Sequence, residues 1–202
     1  MLLRQGSKGN DVKTLQSVLH LCQDGIFGPL TEEVVKEFQK ANGLKVDGIV
    51  GDATWSKIVG SGLVKSNRTI NEIIVHCSAT PEGKDFTVED ITRWHKQRGF
   101  ATIGYHYVVY RDGSVHDGRD VNVSGAHCTG HNSHSIGICY IGGVAADGET
   151  AKDSRTESQK TSLLKLLKDL KRSYPSASIR GHRDFANKAC PSFDATKEYS
   201  SL

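Results

Sequence analysis

Apolar positions in the first sixty residues recur at helical spacing and are interrupted twice by the same turn. Val12, Leu15, Val18 and Leu19 form one stripe, and Val34, Val35, Phe38 and Ala41 form a second, each loading one face of an amphipathic helix. The stripes belong to an internal repeat at an offset of 23 residues, in which Leu15-Gln16 matches Phe38-Gln39 and Thr31 matches Thr54. Asp24-Gly25-Ile26-Phe27-Gly28 likewise matches Asp47-Gly48-Ile49-Val50-Gly51. Asp-Gly is a tight-turn dipeptide, because glycine takes a positive φ without steric penalty. Asp11 and Thr31 stand near helix starts. Two such units are too short an array for a solenoid, so a small closed three-helix bundle is predicted over residues 1–60.

A small, polar stretch at 60–69, Gly-Ser-Gly-Leu-Val-Lys-Ser-Asn-Arg-Thr, suits a linker over 61–69. The pattern then changes. Ile70–Cys77 is a β-branched run, Gly104–Tyr110 is aromatic and β-branched, and the Asp112-Gly113 turn leads to a short strand around Val115. Ser135–Ile141 and Ser178–His182 are further strand-length runs. Thr87 with Asp90 three residues on predicts a capped helix through Gln97 that stops near Gly99. Thr156 with Gln159 predicts a longer helix, with a stripe of Leu163, Leu164, Leu167 and Leu170 and with Pro175 beyond its end. Strands alternating with helices predict an α/β domain over residues 70–202, with a mixed central β-sheet flanked by helices.

Composition adds limits rather than a fold. A chain of 202 residues can hold a small plus a medium domain. The formal charge of +3 favours an anionic polymer such as a cell wall and falls far short of a nucleic-acid binder. No apolar run approaches the ~20 residues of a membrane span. If Met1 is the natural start, the first ten residues leave no room for a signal core of roughly 7–15 apolar residues, and synthesis in the cytoplasm without a signal peptide is expected. The five cysteines are dispersed, which predicts reduced, buried thiols rather than a disulfide framework, with Cys190 set apart by its context.

Histidine is more informative. His76, His95, His106, His116, His127, His131 and His134 crowd one segment, His182 follows, and only His20 precedes residue 70, so imidazole chemistry belongs to the second unit. A hydrolytic zinc site needs three protein ligands and an open position. His76 ends the first strand, His182 ends the late one, and Cys190 lies eight residues further on, where a loop can return its thiolate. Pro191 stiffens the chain just beyond it. A histidine at a strand end serves equally well as a hydrogen-bonded structural residue, and spacing alone does not choose between the two.

Ordered motifs do choose. His-Cys-Ser-Ala-Thr at 76–80, Arg-Trp-His-Lys at 93–96, Gly-Tyr-His-Tyr at 104–107, Arg-Asp-Gly at 111–113, Gly-Arg-Asp at 118–120, His-Asn-Ser-His-Ser-Ile-Gly-Ile at 131–138 and Lys-Ala-Cys-Pro-Ser-Phe-Asp at 188–194 follow one another across the domain. In that order they resemble the zinc-dependent N-acetylmuramoyl-L-alanine amidases of the phage lysozyme and peptidoglycan recognition protein type. Residues 2–59 resemble a peptidoglycan-binding domain.

The resemblance implies Zn2+ held by His76, His182 and Cys190, with Tyr105 and Lys188 as catalytic residues. It implies cleavage of the amide between N-acetylmuramic acid and L-alanine of the stem peptide by zinc-activated water. No glutamate stands in a context that matches the carboxylate base of related amidases. His127, His131, Asn132 and His134 lie in a Gly- and Ser-rich loop and are expected to border the substrate groove. His95, His106 and His116 are expected to be structural or to support the ligands, and Asp194 either caps the final helix or holds a ligand loop.

Taken together these features predict a monomeric phage or prophage endolysin that acts on bacterial peptidoglycan after release or lysis, without nucleic-acid binding or membrane insertion. Two other readings stay open: a recognition protein that keeps the groove and loses zinc, against which Cys190 argues, and an amidase that also binds a polymerase.

Overall fold

The computed structural model describes residues 2–19, 21–61 and 66–202. His20 and residues 62–65 of the expected linker lie outside the described residues. The chain divides into two compact units, Met1–Val64 and Lys65–Leu202.

The first unit holds α1 (Asn10–Val18), α2 (Pro29–Ala41) and α3 (Asp52–Ser61). Its core is Leu3, Val12, Leu15, Phe27, Val35, Val50 and Ile58, with Val18, Leu19, Phe38 and Trp55 packed against it. Short bridges pair Leu3 with Val50 and Lys8 with Ile26, tying the two repeat turns to the N-terminal segment.

The repeat is a hydrogen-bonding module built on two buried glutamines. Gln16 Nε2 donates to Asp24 Oδ1 (2.7 Å), the Ile26 carbonyl (3.0 Å) and Thr31 Oγ1 (3.4 Å), while its Oε1 accepts the Gly25 N–H (2.9 Å). Gln39 does the same 23 residues later, with Asp47 (3.0 Å), Ile49 (3.0 Å), Thr54 (3.1 Å) and the Gly48 N–H (2.9 Å). Gly25 and Gly48 sit at φ of 75° and 72°, so the turn that presents each N–H to its glutamine is open to glycine at little cost. Ala41, placed in the apolar stripe by periodicity, is exposed, and Gln39 is buried instead. Its amide is fully partnered, which removes the usual objection to a buried polar side chain.

The second unit contains β1 (Glu72–Cys77), β2 (Thr80–Pro81), α4 (Val88–Gln97), β3 (Tyr107–Val109), β4 (Val115–Asp117), β5 (Ser135–Tyr140), β6 (Gly143–Val144), α5 (Glu157–Ser173), β7 (Ser178–Gly181) and α6 (Ala195–Glu198). Five strands form one sheet in the order β4-β3-β5-β1-β7, and β2 pairs with β6 separately. Only β4 runs antiparallel, so the sheet is mixed as predicted. The expected Gly104–Tyr110 strand is shorter, because residues 104–106 leave the ladder to form an irregular segment beside β5.

Both predicted capping boxes are present, at Thr87/Asp90 and Thr156/Gln159. Helix α5 buries Leu163, Leu166, Leu167 and Leu170 against the sheet, whereas Leu164 is exposed. Gln159 also reaches the C-terminal ends of β3 and β5, donating to the carbonyls of Val109 (3.2 Å) and Ile141 (2.9 Å).

The end of the expected linker belongs to the second unit. The Tyr174 hydroxyl accepts the Ser66 N–H at 2.6 Å. The Arg68 guanidinium donates to the carbonyls of Val121, Asn132, Ser133 and Ser135. A short polar stretch is indistinguishable from a linker until its partners, some fifty residues away or more, are known.

Replacing Gln39 by leucine strands the buried Gly48 N–H, while Asp47 keeps the Ile49 N–H and Lys45 as partners. It is expected to destabilise the first unit by roughly 1–3 kcal/mol, read as a lowered urea midpoint of Trp55 fluorescence in a Trp94→Phe background.

Candidate metal centre and active site

Parallel pairing brings the ligand-bearing segments to one end of the sheet. In the register of β1 with β7, Val75 lies opposite Gly181, so His76 and His182 leave adjacent strands side by side. His182 opens a short 3-10 turn, His182–Asp184, in which Asp184 Oδ2 accepts the Gly181 N–H (2.9 Å) and the Thr196 hydroxyl. The Arg183 N–H donates to the Cys190 carbonyl at 2.7 Å and closes the intervening loop on itself. Cys190 Sγ then accepts the Cys77 N–H at 3.3 Å.

These contacts assemble His76, His182 and Cys190 into one cluster whose ligand atoms all lie within 4.8 Å of one another. His76 Nδ1 is 3.8 Å from Cys190 Sγ, and the two imidazole centroids are 4.5 Å apart. Tetrahedral zinc with ordinary Zn–N and Zn–S bonds separates a nitrogen and a sulfur ligand by roughly 3.6 Å. Two imidazoles and a thiol at this spacing therefore fit a metal site.

The protonation states of the two imidazoles suit that role. Burial holds His76 well below the usual imidazole range, helped by His127, His182 and the Lys188 charge. Burial and Lys188 lower His182 in the same direction. Both rings are therefore neutral ligands near neutral pH. Contact between the two thiols lowers Cys77, whereas the same contact and burial push Cys190 up, so the proton of the pair stays on Cys190 and a metal bound there would have to release it.

Tyr105 and Lys188 flank the cluster. The Tyr105 ring centroid is 5.1 Å from that of His76 and 5.3 Å from that of His95. The Tyr105 carbonyl accepts the Arg119 N–H at 2.8 Å, and the adjacent Gly104 N–H donates to His95 Nδ1 at 2.9 Å, which fixes this irregular segment. Burial, reinforced by the neighbouring thiols, raises the Tyr105 phenol well above its usual range, so it carries its proton. Lys188 is exposed, and its charge is felt at both histidines. Asp184, the carboxylate closest in sequence to His182, is occupied by Gly181 and Thr196.

The four residues grouped by sequence as groove-lining separate into three environments. His127 is buried, with Nδ1 3.0 Å from His76 Nε2. Asn132 Oδ1 accepts the N–H groups of His127 (2.8 Å) and Cys128 (2.9 Å), so its carbonyl oxygen is committed to holding the loop. His131 and His134 face Glu72, at 2.8 and 3.4 Å. A Gly- and Ser-rich loop exposes its side chains by default, and only the pairing partners show which of them turn inward.

His95, His106 and His116 are structural, as expected. His95 and His106 accept backbone N–H groups from Gly104 and Gly137, both at 2.9 Å, and His116 stacks on Tyr110 at 3.8 Å. Asp194 caps the last helix, accepting the Lys197 N–H at 2.9 Å. All five cysteines are free. Sequence reasoning missed Cys77 and Ser192. The Ser192 hydroxyl donates to the Gly143 carbonyl at 2.7 Å and lies 3.8 Å from Cys77 Sγ. Their adjacency to His76 and Cys190 was the available signal.

Both units match known protein families. The N-acetylmuramoyl-L-alanine amidase family model matches residues 66–193, and a peptidoglycan binding domain model matches residues 8–58. The chain belongs to the N-acetylmuramoyl-L-alanine amidase family. It is 44% identical over 124 residues to the endolysin of Enterobacteria phage K11, covering 61% of this chain and 82% of that protein. The endolysin of Escherichia phage T7 is 42% identical over 130 residues, covering 64% and 85%. Among solved structures, the amidase LysC from Clostridium intestinale superposes with a TM-score of 0.55 at 31% identity, over 65% of this chain and 83% of that one. Drosophila PGRP-LB superposes with a TM-score of 0.56 at 26% identity, over 69% and 84%. No described helix is long and apolar enough to cross a membrane.

The buried neutral histidines predict acid sensitivity. Burial lowers His95, His106 and His116, His106 to about 4. Above pH 6.5 these rings are neutral folded or unfolded and contribute no pH dependence. Below it the unfolded chain takes up protons that the native state refuses, so stability falls with pH. Urea titrations of chelated protein are expected to show the loss beginning near pH 6.5, with His106 alone accounting for about 3 kcal/mol by pH 4.

Proposed function

We propose that His76, His182 and Cys190 hold zinc and that the second unit hydrolyses the amide between N-acetylmuramic acid and L-alanine, with Tyr105 and Lys188 as its catalytic residues. The observation that carries this reading is the convergence of two neutral imidazoles and a thiol at tetrahedral spacing, flanked by a protonated phenol and an exposed cation. Zinc, when bound, supplies Lewis acidity and lowers the pKa of a water towards ~7.

The side chains do the rest. Attack on the carbonyl develops negative charge on its oxygen. Lys188, as a compact cation, and Tyr105, as a phenolic donor, stabilise that charge where it forms. The Tyr105 proton is retained because its site is desolvated, which makes the residue a donor rather than a base. The register of β1 puts Glu72 and His76 on one face of the sheet. His131 and His134, paired with Glu72, thereby supply polar groups to the far end of the substrate groove.

In this reading residues 1–60 form a wall-binding unit and residues 70–202 the amidase. The relatives named endolysins support a phage or prophage lysis enzyme that meets peptidoglycan after release from the cytoplasm. The chain acts as a monomer.

Mass spectrometry of digested peptidoglycan is expected to show free N-terminal L-alanine on intact stems. Cut glycan strands or cleaved cross-bridges would overturn the assignment. Chelation and Cys190→Ser are each expected to abolish clearing in a zymogram. Lys188→Ala and Tyr105→Phe are expected to lower kcat by about 10²–10³ while leaving stoichiometric zinc in place, and loss of zinc in either variant would move that residue to a structural role.

A further inference from the structure

We infer that His127 is a positioning residue that sets the tautomer of His76 through a one-directional hydrogen-bond chain ending on a backbone carbonyl. The inference rests on the proposed role of His76 as a metal ligand, and it explains why Nδ1 is the nitrogen free to bind.

The direction of the chain follows from its far end. The Ser135 hydroxyl donates to the His131 carbonyl at 2.7 Å. A carbonyl can only accept, so the single serine proton is committed and Ser135 Oγ is left as an acceptor. His127 Nε2 lies 3.4 Å from that oxygen and carries the proton that meets it. A neutral imidazole has one donor and one acceptor nitrogen, so His127 Nδ1 presents its lone pair. His76 Nε2, 3.0 Å away, must then carry its own proton. That leaves the His76 Nδ1 lone pair facing Cys190 Sγ.

The surroundings are shaped for this ring. A Cβ on Gly125 or Gly137 would overlap the His127 imidazole, so the two glycines vacate the space it fills. Asn132 clamps the backbone on both sides of His127, accepting the N–H groups of His127 and Cys128. Hydrogen bonding of the non-coordinating nitrogen of a ligand histidine fixes ring orientation and raises basicity, and removing such a partner typically costs about 10–100-fold in metal affinity.

The test separates acceptor from filler. In His127→Leu the ring is replaced by an apolar side chain, whereas in His127→Asn the amide Oδ1 stands near the lost Nδ1 and can accept the His76 proton. Zinc affinity of the full chain, measured by competition with a chromophoric chelator, is expected to fall about 10–100-fold in the leucine variant. It should recover most of that loss in the asparagine variant. Ser135→Ala, which releases the chain at its anchored end, is expected to fall between wild type and leucine.

A leucine variant within threefold of wild type, or an asparagine variant no better than leucine, overturns the inference. Should the leucine variant fail to fold, wild-type protein decides. Long-range proton–nitrogen spectra of the metal-free chain are expected to place the His76 proton on Nε2, with a through-bond coupling to His127 Nδ1. A proton on Nδ1 instead sinks the proposal. Failure of the underlying ligand assignment looks different: wild type itself would then bind zinc no more tightly than Cys190→Ser.

Discussion

The parallel pairing of β1 with its two neighbours is the constraint on which the rest of this domain depends. Strand β1 is an interior strand, hydrogen-bonded to β5 on one side and to the edge strand β7 on the other. Parallel strands present their C-terminal ends together, so the residues that follow them meet at one edge of the sheet. His76 and His182 come from two such ends. The loop from β7 returns Cys190 to the same place because its own carbonyl is tied to Arg183. A register shift of one residue would turn His76 to the opposite face of the sheet and disperse the cluster.

Around that edge the fold has solved a problem of buried polarity. His76, His106 and His127 are almost fully buried, and an imidazole removed from water needs a partner for each nitrogen. Backbone amides, carbonyls, Ser135 and the other imidazoles supply them. Among the described side chains no fully buried nitrogen or oxygen lacks a partner. Burial keeps the rings neutral and the hydrogen-bond network dictates their orientation, so the requirements of stability and of the proposed metal site coincide at His76.

The small N-terminal unit uses a related device. Its core contains few large side chains, and each repeat adds a buried glutamine that ties a turn to a helix and to the start of the next one. Glutamine serves because its amide both donates and accepts, satisfying a turn N–H on one side and a carbonyl and carboxylate on the other.

Much of this was legible in the chain itself. Periodicity located the helices, the Thr/Asp and Thr/Gln pairs marked two helix starts, and β-branched runs marked the sheet, because these depend on residues within a few positions of one another. The ordered motifs pointed to His76, His182 and Cys190, and the 23-residue repeat to a separate unit. What the sequence could not decide was direction and partnership. His127, Asn132, His131 and His134 look alike in a polar loop, yet one ring turns inward to His76, one amide clamps the backbone and two rings face Glu72. Arg68 reads as linker and serves as a clamp on a loop more than fifty residues away. Such roles are set by contacts between distant segments, and only the tertiary structure brings those segments within hydrogen-bonding distance.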